Sequence, residues 1–224
     1  MPRAPPPRGR PPFVVRELRW GDFADRMAGF LALFEEVRED PDLGLTLTRT
    51  PPTEAEEVGW FTNLYQRARR GEAVVVVGEA DGHAVGMATV ASPRNGGSDS
   101  EGGHVGVLGI TVDRPYRGRG LGAVLLRTAL EQARGRFEIV RLNVFSVNVR
   151  ARSLYERFGF RLCGHLDREV KRGDRYLDEE IMTKYAPWVP YYIANNRFFV
   201  SSRVKNWVYS SYLGEPYFNA LSVG

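Results

Sequence analysis

Hydrophobic and polar residues alternate in some segments of the chain and recur at helical spacing in others. The segment FVVRELRW, residues 13–20, alternates in the manner of a strand, and apolar residues then recur every three or four positions over residues 23–39. Thr53 and Glu56 have the spacing of a capping box, which predicts a helix from there to Arg70. The first third of the chain is therefore predicted as strand, helix, helix.

A hairpin and an alternation of strands with helices are predicted over the remaining body. Residues 73–80 and 83–91 are mostly apolar, and Asp81-Gly82 between them supplies the positive φ angles of a two-residue turn. The following segments are, in order, a strand at 104–112, a glycine loop at 113–122, a helix ending at Gly135, a strand at 138–145, a helix from Val149 to Phe158 with Gly159 as its stop, and two strands joined at KRGD, residues 171–174. This order predicts a mixed α/β sheet.

The net charge of +4 is carried by the two ends of the chain. Residues 1–12 hold three Arg, six Pro and no acid, a composition that predicts a disordered arm. Residues 187–224 carry three basic side chains against Glu215 alone. The body at 13–186 is close to neutral, so a broad nucleic-acid-binding surface is not expected there.

The apolar segments are all short. None approaches the ~18 residues that a membrane span requires, so no membrane contact is expected. Residues 1–12 lack the apolar stretch of a signal peptide. The single cysteine, Cys163, cannot form an internal disulfide, which fits a reducing compartment. These observations predict a cytoplasmic protein.

The loop RPYRGRGLG, residues 114–122, has glycines at alternate positions and leads directly into a helix. Backbone N–H groups at a helix N-terminus favour phosphates, although a tight strand-to-helix turn is the simpler interpretation. A Walker A loop is excluded because Gly-Lys-Ser/Thr is absent. Gly118, Gly120 and Ala123 fit the dinucleotide pattern, but the acid at the required offset, Glu138, opens the next strand instead of closing it. The dinucleotide interpretation is therefore disfavoured.

A third pattern accounts for the loop and its neighbours together. Residues 117–122, RGRGLG, match the R/Q-x-x-G-x-G/A signature of the GNAT superfamily of acyl-CoA-dependent N-acetyltransferases. LNVFSVNVRARSLYERFGF, residues 142–160, is similar to the second half of the GNAT core. REVKRGDRYLDEEIM, residues 168–182, resembles the closing hairpin of the branch that contains ribosomal-protein and diamine N-acetyltransferases. The resemblance, over residues 13–185, implies the α/β GNAT fold, a mixed and mostly antiparallel sheet of about seven strands with splayed central parallel strands and flanking helices.

The resemblance also implies a site for acetyl-CoA. The pantetheine arm would enter between the splayed strands. It would form hydrogen bonds with the main chain of Ile110 and Val112, on either side of Thr111. The pyrophosphate would lie against the loop amides, with charge added by two arginines, and the arm would meet two further side chains. The residues implied in these roles are Arg117, Gly118, Arg119, Gly120, Leu121 and Gly122 for the pyrophosphate, and Asn148 and Ser153 for the arm. No metal is implied.

Tyr155 lies one turn into the helix after Asn148, where the resemblance implies the general acid of the family, and a phenol can protonate a departing thiolate. A half-buried aromatic on an amphipathic helix is the alternative interpretation. Cys163 could in principle carry an acetyl group, but its place inside an apolar strand predicts a core residue. Direct transfer in a ternary complex is therefore expected.

The general base is left open by the sequence. Relatives carry a glutamate at one of two strand positions that are occupied here by Asn143 and Val107. The remaining candidates are His104, Glu79 and Asp178, a relay through water, or no dedicated base.

The segment after the predicted domain, residues 187–224, has ten aromatic residues among 38 and one acid. Such a composition is not that of a disordered tail, so the rings are expected to pack on the core or on a second subunit, and a homodimer is predicted. Stacking on single-stranded nucleic acid is the less favoured alternative.

Two functions are compatible with these features. The first is an N-acetyltransferase that moves an acetyl group from acetyl-CoA to a primary amine of a small molecule or peptide. The second is a non-catalytic acyl-CoA sensor that recruits a partner, an alternative that the missing family acids favour. The acceptor amine is not indicated by the sequence, because substrate loops vary over a common scaffold.

Overall fold

The structure of the protein is a computed structural model. It describes residues 13–19, 53–93 and 101–185, together with the backbone of four short strands between residues 204 and 223. The arm predicted at 1–12, the helix predicted at 23–39 and the aromatic side chains of the extension lie outside the described residues.

Seven strands form one sheet in the order β1-β2-β3-β4-β5-β7-β6. Their bounds are β1 Val14–Glu17, β2 Ala73–Ala80, β3 His83–Ala91, β4 Val105–Val112, β5 Ile139–Phe145, β6 Arg161–Arg172 and β7 Arg175–Tyr185. The pair β4–β5 is parallel, and the other neighbouring pairs are antiparallel. The predicted mixed, mostly antiparallel sheet is confirmed.

Three helices flank the sheet within the described residues, and each begins and ends where the sequence predicts. They are α1 Glu54–Arg69, α2 Leu121–Ala133 and α3 Val149–Arg157. The Thr53 side chain accepts from the Glu56 N–H, and the Glu56 carboxylate accepts from the Thr53 N–H at 2.7 Å, so the capping box is formed. Gly135 and Gly159, just after α2 and α3, have φ of 81° and 86°, which only glycine adopts without strain.

The helices divide between the two faces of the sheet. On one face, α2 and α3 cover a cluster that includes Leu121, Leu125, Leu142 and Val144. On the other face, α1 inserts Phe61 and neighbouring residues over the first strands of the sheet. The mostly apolar segments predicted as strands are therefore buried from both sides near the centre of the sheet.

The central parallel strands separate along their length. β4 pairs with β5 only at Val105–Val107, opposite Ile139–Arg141. Beyond that point β4 remains bonded to β3 up to Val112, and β5 remains bonded to β7 up to Phe145. The predicted splay is thus confirmed, and it opens a gap in the middle of the sheet.

The chain divides at residue 188 into two compact units. In the second, residues 189–224, four short strands pair antiparallel. They are β8 Val204–Lys205 with β11 Ser222–Val223, and β9 Tyr209–Ser210 with β10 Glu215–Pro216.

In the part of the chain that the structure describes, no helix is long and apolar enough to cross a bilayer. The cytoplasmic location stays a prediction.

Candidate active site

A cleft of about 580 Å³ occupies the gap between β4 and β5. Its walls come from both strands, the glycine loop, α3 and the end of β7. Of the residues that the sequence indicates for the site, eight line it: Ile110, Val112, Arg117, Gly118, Gly120, Gly122, Asn148 and Tyr155. The structure thus gathers most of the predicted residues around one space.

The main chain of β4 presents alternate residues to the gap. The N–H of Asp113 donates to the carbonyl oxygen of Val85 on β3 at 3.0 Å. Since alternate residues of a strand direct their amides to opposite neighbours, Thr111 also faces β3, whereas Ile110 and Val112 face the gap. Thr111 is buried and does not line the cleft.

The glycine loop is shaped for a backbone approach. Gly118 and Gly120 have φ of 75° and 91°, and Gly120 is the N-cap of α2. The N–H groups of Ala123 and Val124 both donate to the Gly120 carbonyl, so the amides of the preceding residues remain at the open end of the helix. Such an end, with the positive pole of the dipole, favours an anion.

The side chains of two loop residues make contacts within the protein. Leu121 is fully buried in the core under the sheet, so only its main chain can belong to the cleft. Arg117 donates through Nε to the carbonyl oxygen of Val112 at 2.8 Å, which ties the loop to the end of β4. Arg119 is exposed and lies outside the lining, and Ser153 is exposed on the far side of α3.

Arg150, which the sequence analysis did not single out, lies against the loop instead. A Cβ placed on Gly118 would come within 2.5 Å of the Arg150 Nη2 atom. Arg150 is in the first turn of α3 and lines the cleft, as does Arg157 at the end of the same helix. The sequence shows an arginine in the first turn after Asn148, but the sequence analysis assigned it no role.

Asn148 has a structural task at the start of α3. Its Oδ1 accepts from the N–H of Ala151 at 3.1 Å, which caps the helix. The carbonyl oxygen of the side chain is therefore engaged, and its amide N–H₂ group is the part suited to a ligand in the cleft.

Tyr155 is 7% exposed and lines the cleft from α3. Its ring meets the ring of Phe160 edge to face, with centroids 5.9 Å apart. Burial raises the pKa of the Tyr155 phenol well above its ordinary value of 10.0, so the hydroxyl keeps its proton throughout the physiological range.

The acids and the histidine named from the sequence as possible bases lie elsewhere. The Glu79 carboxylate pairs with Arg16 at 2.8 Å, at the edge formed by β1 and β2. Asp178 Oδ1 accepts from the N–H of Arg168 at 2.7 Å, and the His104 ring contacts a carbonyl of its own turn. None of these three candidates lines the cleft.

Glu179 is the acid that sequence reasoning missed. It is 6% exposed, lines the cleft from β7, and accepts a hydrogen bond from Asn143 Nδ2 at 2.9 Å. Its signal was weak, because three acids in succession, residues 178–180, look like a solvated surface. Only the pairing of β7 with β5 shows which of them faces the gap.

Cys163, predicted as a core residue, is half-buried on β6. Its thiol donates to the carbonyl oxygen of Ile181 at 3.3 Å, within the sheet. It does not line the cleft, so it lies outside the space where an acyl group could be transferred.

The residues present fit a CoA thioester. A narrow arm can follow the amides of β4 into the gap, and a pyrophosphate can meet the open end of α2 beside Arg117 and Arg150. An α/β protein with splayed central strands and an anion-binding helix end beside the gap is suited to holding an extended, phosphate-bearing molecule across its sheet.

Comparison with known proteins identifies the family. A profile of the acetyltransferase (GNAT) family matches residues 30–160. The L-methionine sulfoximine/L-methionine sulfone acetyltransferase of Pseudomonas aeruginosa is 30% identical over 161 residues, which cover 70% of this chain and 87% of that protein. This chain therefore belongs to the GNAT acetyltransferase family, as its sequence resemblance implies.

Two further relatives define how far the similarity extends. A probable spermine N(1)-acetyltransferase of Bacillus subtilis subsp. natto is 32% identical over 89 residues, covering 39% of this chain and only 59% of the relative. A phosphinothricin acetyltransferase from Sinorhizobium meliloti, solved in complex with AcCoA, has a TM-score of 0.64 at 21% identity, covering 78% of this chain and 88% of that one. The last of these shows the fold alone.

Proposed function

We propose that the protein is an N-acetyltransferase that moves an acetyl group from acetyl-CoA to a primary amine by direct transfer in a ternary complex. The observation that carries this proposal is the cleft itself, in which splayed strands, a glycine loop at a helix end and a buried tyrosine share one space. Family membership and the AcCoA complex of a protein with the same fold support it.

The cofactor-binding roles are assigned residue by residue. Main-chain groups of Ile110 and Val112 bind the pantetheine arm, and the Asn148 amide contacts it. The loop amides from Arg117 to Gly122 bind the pyrophosphate, with Arg150 adding positive charge beside Gly118. Arg119 is solvent-exposed and contributes at most at long range.

Tyr155 acts as the general acid. When the amine attacks the thioester carbonyl, the C–N bond forms and the C–S bond breaks, and the departing sulfur requires a proton. The Tyr155 hydroxyl, protonated and buried in the cleft, supplies it. The position of Cys163 outside the lining supports direct transfer in preference to an acetyl-thiol intermediate.

The alternative of a non-catalytic sensor rested on the lack of an acid at the two strand positions where relatives carry one. Glu179 supplies a carboxylate to the same cleft from a different strand. The argument for a sensor is thereby removed, and catalysis is the function that we propose.

The acceptor is proposed to be a small molecule with a primary amine. The activities of two relatives support this, since one is a probable spermine acetyltransferase and another is an acetyltransferase for L-methionine sulfoximine and L-methionine sulfone. All three molecules present a primary amine as a group that can be acylated.

Turnover tests the proposal. The protein, supplied with acetyl-CoA, is assayed against spermine, L-methionine sulfone, other amino acids, aminoglycosides and peptides with free N-termini. We expect one class to yield an N-acetylated product and one CoA thiol per product. Binding of acetyl-CoA without product from any amine would favour the sensor.

We further propose that residues 187–224 mediate contact between two copies of the chain. Support comes from their composition, because rings such as Trp188 and Trp207 each carry about 150–250 Å² that monomers seldom leave in water. A homodimer is the simplest assembly with such an interface.

A further inference from the structure

We propose that Glu179 is the catalytic residue that binds the acceptor ammonium and removes its proton, and that Asn143 positions its carboxylate. This inference rests on the acetyltransferase function proposed above and deepens it. It assigns the acceptor side of the cleft to a pair of residues on β7 and β5. The acceptor is then a molecule that enters as an ammonium cation.

The contact between the two side chains is direct. Asn143 Nδ2 donates to Glu179 Oε2 at 2.9 Å, across the antiparallel pair β5–β7. Asn143 lies opposite Ile181 in the register, so it reaches Glu179 diagonally on the same face of the sheet. An amide that donates to a carboxylate oxygen restricts the orientation of the carboxyl group beside the cleft.

The pair lies on the opposite face of the sheet from the glycine loop. Leu142 and Val144, the neighbours of Asn143, belong to the cluster covered by α2 and α3. Because side chains alternate along a strand, Asn143 and Glu179 point to the other face, while both still line the cleft. Val107 and Gly109 of β4 line it there too.

This arrangement separates the two substrates. A thioester held from the loop side presents its carbonyl in the gap, and an amine can approach from the opposite face without crossing the CoA arm. Gly109 has no side chain to obstruct that approach. Glu179 is therefore placed where the nitrogen must lose a proton before it attacks.

Burial favours this role. A carboxylate that is 6% exposed attracts an ammonium more strongly than one in water, because the local dielectric is low. The charged cleft residues Arg117, Arg150 and Arg157 belong to the loop and α3, and the Tyr155 hydroxyl is neutral. On β6, His165 is paired in the register with Glu180. Arg172 lies over the ring of Phe145, which is directly opposite Glu179 in the β5–β7 register, so this guanidinium belongs to the same face as Glu179.

The protons balance as follows. Glu179 takes one proton from the ammonium, and the neutral amine attacks the carbonyl carbon. The thiolate receives a proton from Tyr155, and the acetamide nitrogen gives up a proton that replaces it. Glu179 then releases its proton to water, so the reaction yields the N-acetyl product, CoA thiol and one proton.

The experiment compares the wild type with Glu179→Gln over a range of pH, using as the acceptor spermine or another alkyl primary amine that is turned over faster. A primary amine titrates near pH ~10, so its neutral fraction at pH 7 is about 10⁻³. Without the base, the enzyme must use this fraction. We expect kcat/KM to fall about 10²-fold or more at pH 7 and the deficit to shrink to about tenfold or less near pH 9.5.

Glu180→Gln is the matched control. Glu180 is the next residue of β7 and is 5% exposed, but it points to the opposite face and accepts from Arg152 at 2.9 Å. Removing its charge breaks a partly buried ion pair at a residue that does not line the cleft, and any loss of activity should not recover with pH. Acetyl-CoA affinity, measured for each variant, shows that the cofactor side is intact.

Asn143→Ala tests the positioning role. It should lower kcat and leave acetyl-CoA affinity unchanged, and Asn143→Gln, which retains the amide, should recover part of the loss. A pH-independent deficit in Glu179→Gln, or an undiminished rate at pH 7 in protein that binds acetyl-CoA, would overturn the inference. Lack of turnover by the wild type would instead overturn the proposed function, and this inference with it.

Discussion

Tyr155 is both part of the packed core and the residue that we propose as the general acid. Its ring belongs to the buried cluster beneath α2 and α3, and the same residue lines the cleft. Burial raises the pKa of the phenol, which keeps it protonated but also makes it a weaker acid in the free protein. The thiolate that it must protonate forms in the same buried space, where an uncompensated charge is costly.

Tyr155→Phe tests the acid role. The substitution keeps the ring and its contact with Phe160 but removes the proton donor, so kcat should fall about 10²-fold with little change in acetyl-CoA affinity. Steady-state kinetics and calorimetry measure the two quantities. Tyr116→Phe is the control, because Tyr116 is equally buried in the same cluster and does not line the cleft. A Tyr155→Phe enzyme with wild-type kcat, when chemistry limits the rate, would contradict the role.

The sequence predicted Tyr155 and missed Glu179 for a physical reason. Tyr155 lies in one local motif with Asn148 and Gly159, so the family resemblance over that motif was enough to indicate it. Glu179 is 36 residues from its partner Asn143, and its face depends on the register of β7 against β5. The β6–β7 hairpin has an irregular register at two places. The alternation of residues along the sequence therefore does not show which residues of β7 share a face with Asn143.

At the level of elements, local chemistry determined most of what was predicted. The Asp81-Gly82 turn, with φ of 50° and 76°, and the glycines after each helix set boundaries that tertiary packing did not change. The splay of β4 from β5 is different, because the apolar pattern of neither strand marks where their pairing ends. The gap forms because β4 and β5 stop pairing with each other beyond Val107 and Arg141. Only the family resemblance predicted this separation.

The cap of α1 gives a prediction about stability. Thr53→Ala removes half of the capping box and should lower the free energy of unfolding by about 1 kcal/mol. Thr62→Ala is the matched control, because Thr62 lies inside the same helix and its hydroxyl donates to the Val58 carbonyl at 2.8 Å. Alanine is the better helix former there, so this variant should be neutral or slightly stabilising. Urea unfolding distinguishes the two.

The capping box also has a pH dependence. Hydrogen bonds from Thr53 hold the pKa of the Glu56 carboxyl below its ordinary value of 4.5. The carboxylate therefore stabilises the fold above that value, and its contribution is lost as the pH falls through the lowered pKa. The difference between wild type and Thr53→Ala should shrink in the same acidic range, and an unchanged difference there would argue against the box.

At the level of the whole molecule, the sequence predicted an aromatic extension after the acetyltransferase domain, and the chain divides at residue 188. Composition predicts that the rings of residues 187–224 pack away from water but does not identify the surface they pack against, since any apolar partner would suffice.

Removal of the extension after Ala186 tests the proposed contact between copies. The mass in solution, measured by sedimentation, should change from dimer to monomer, or the truncated protein should become insoluble. A soluble truncated protein with unchanged mass and undiminished thermal stability would contradict the proposal.

Binding of acetyl-CoA is the measurement that tests the central claim most directly. Calorimetry on the wild type should show binding of acetyl-CoA and none of NAD. Gly120→Glu should weaken acetyl-CoA binding about tenfold or more, because it places bulk and negative charge at the open end of α2. Gly135→Glu is the control, since Gly135 has a similar positive φ of 81°, open space around a Cβ and no place in the cleft, so it should bind as the wild type does. Tight binding of NAD without binding of acetyl-CoA would contradict the account.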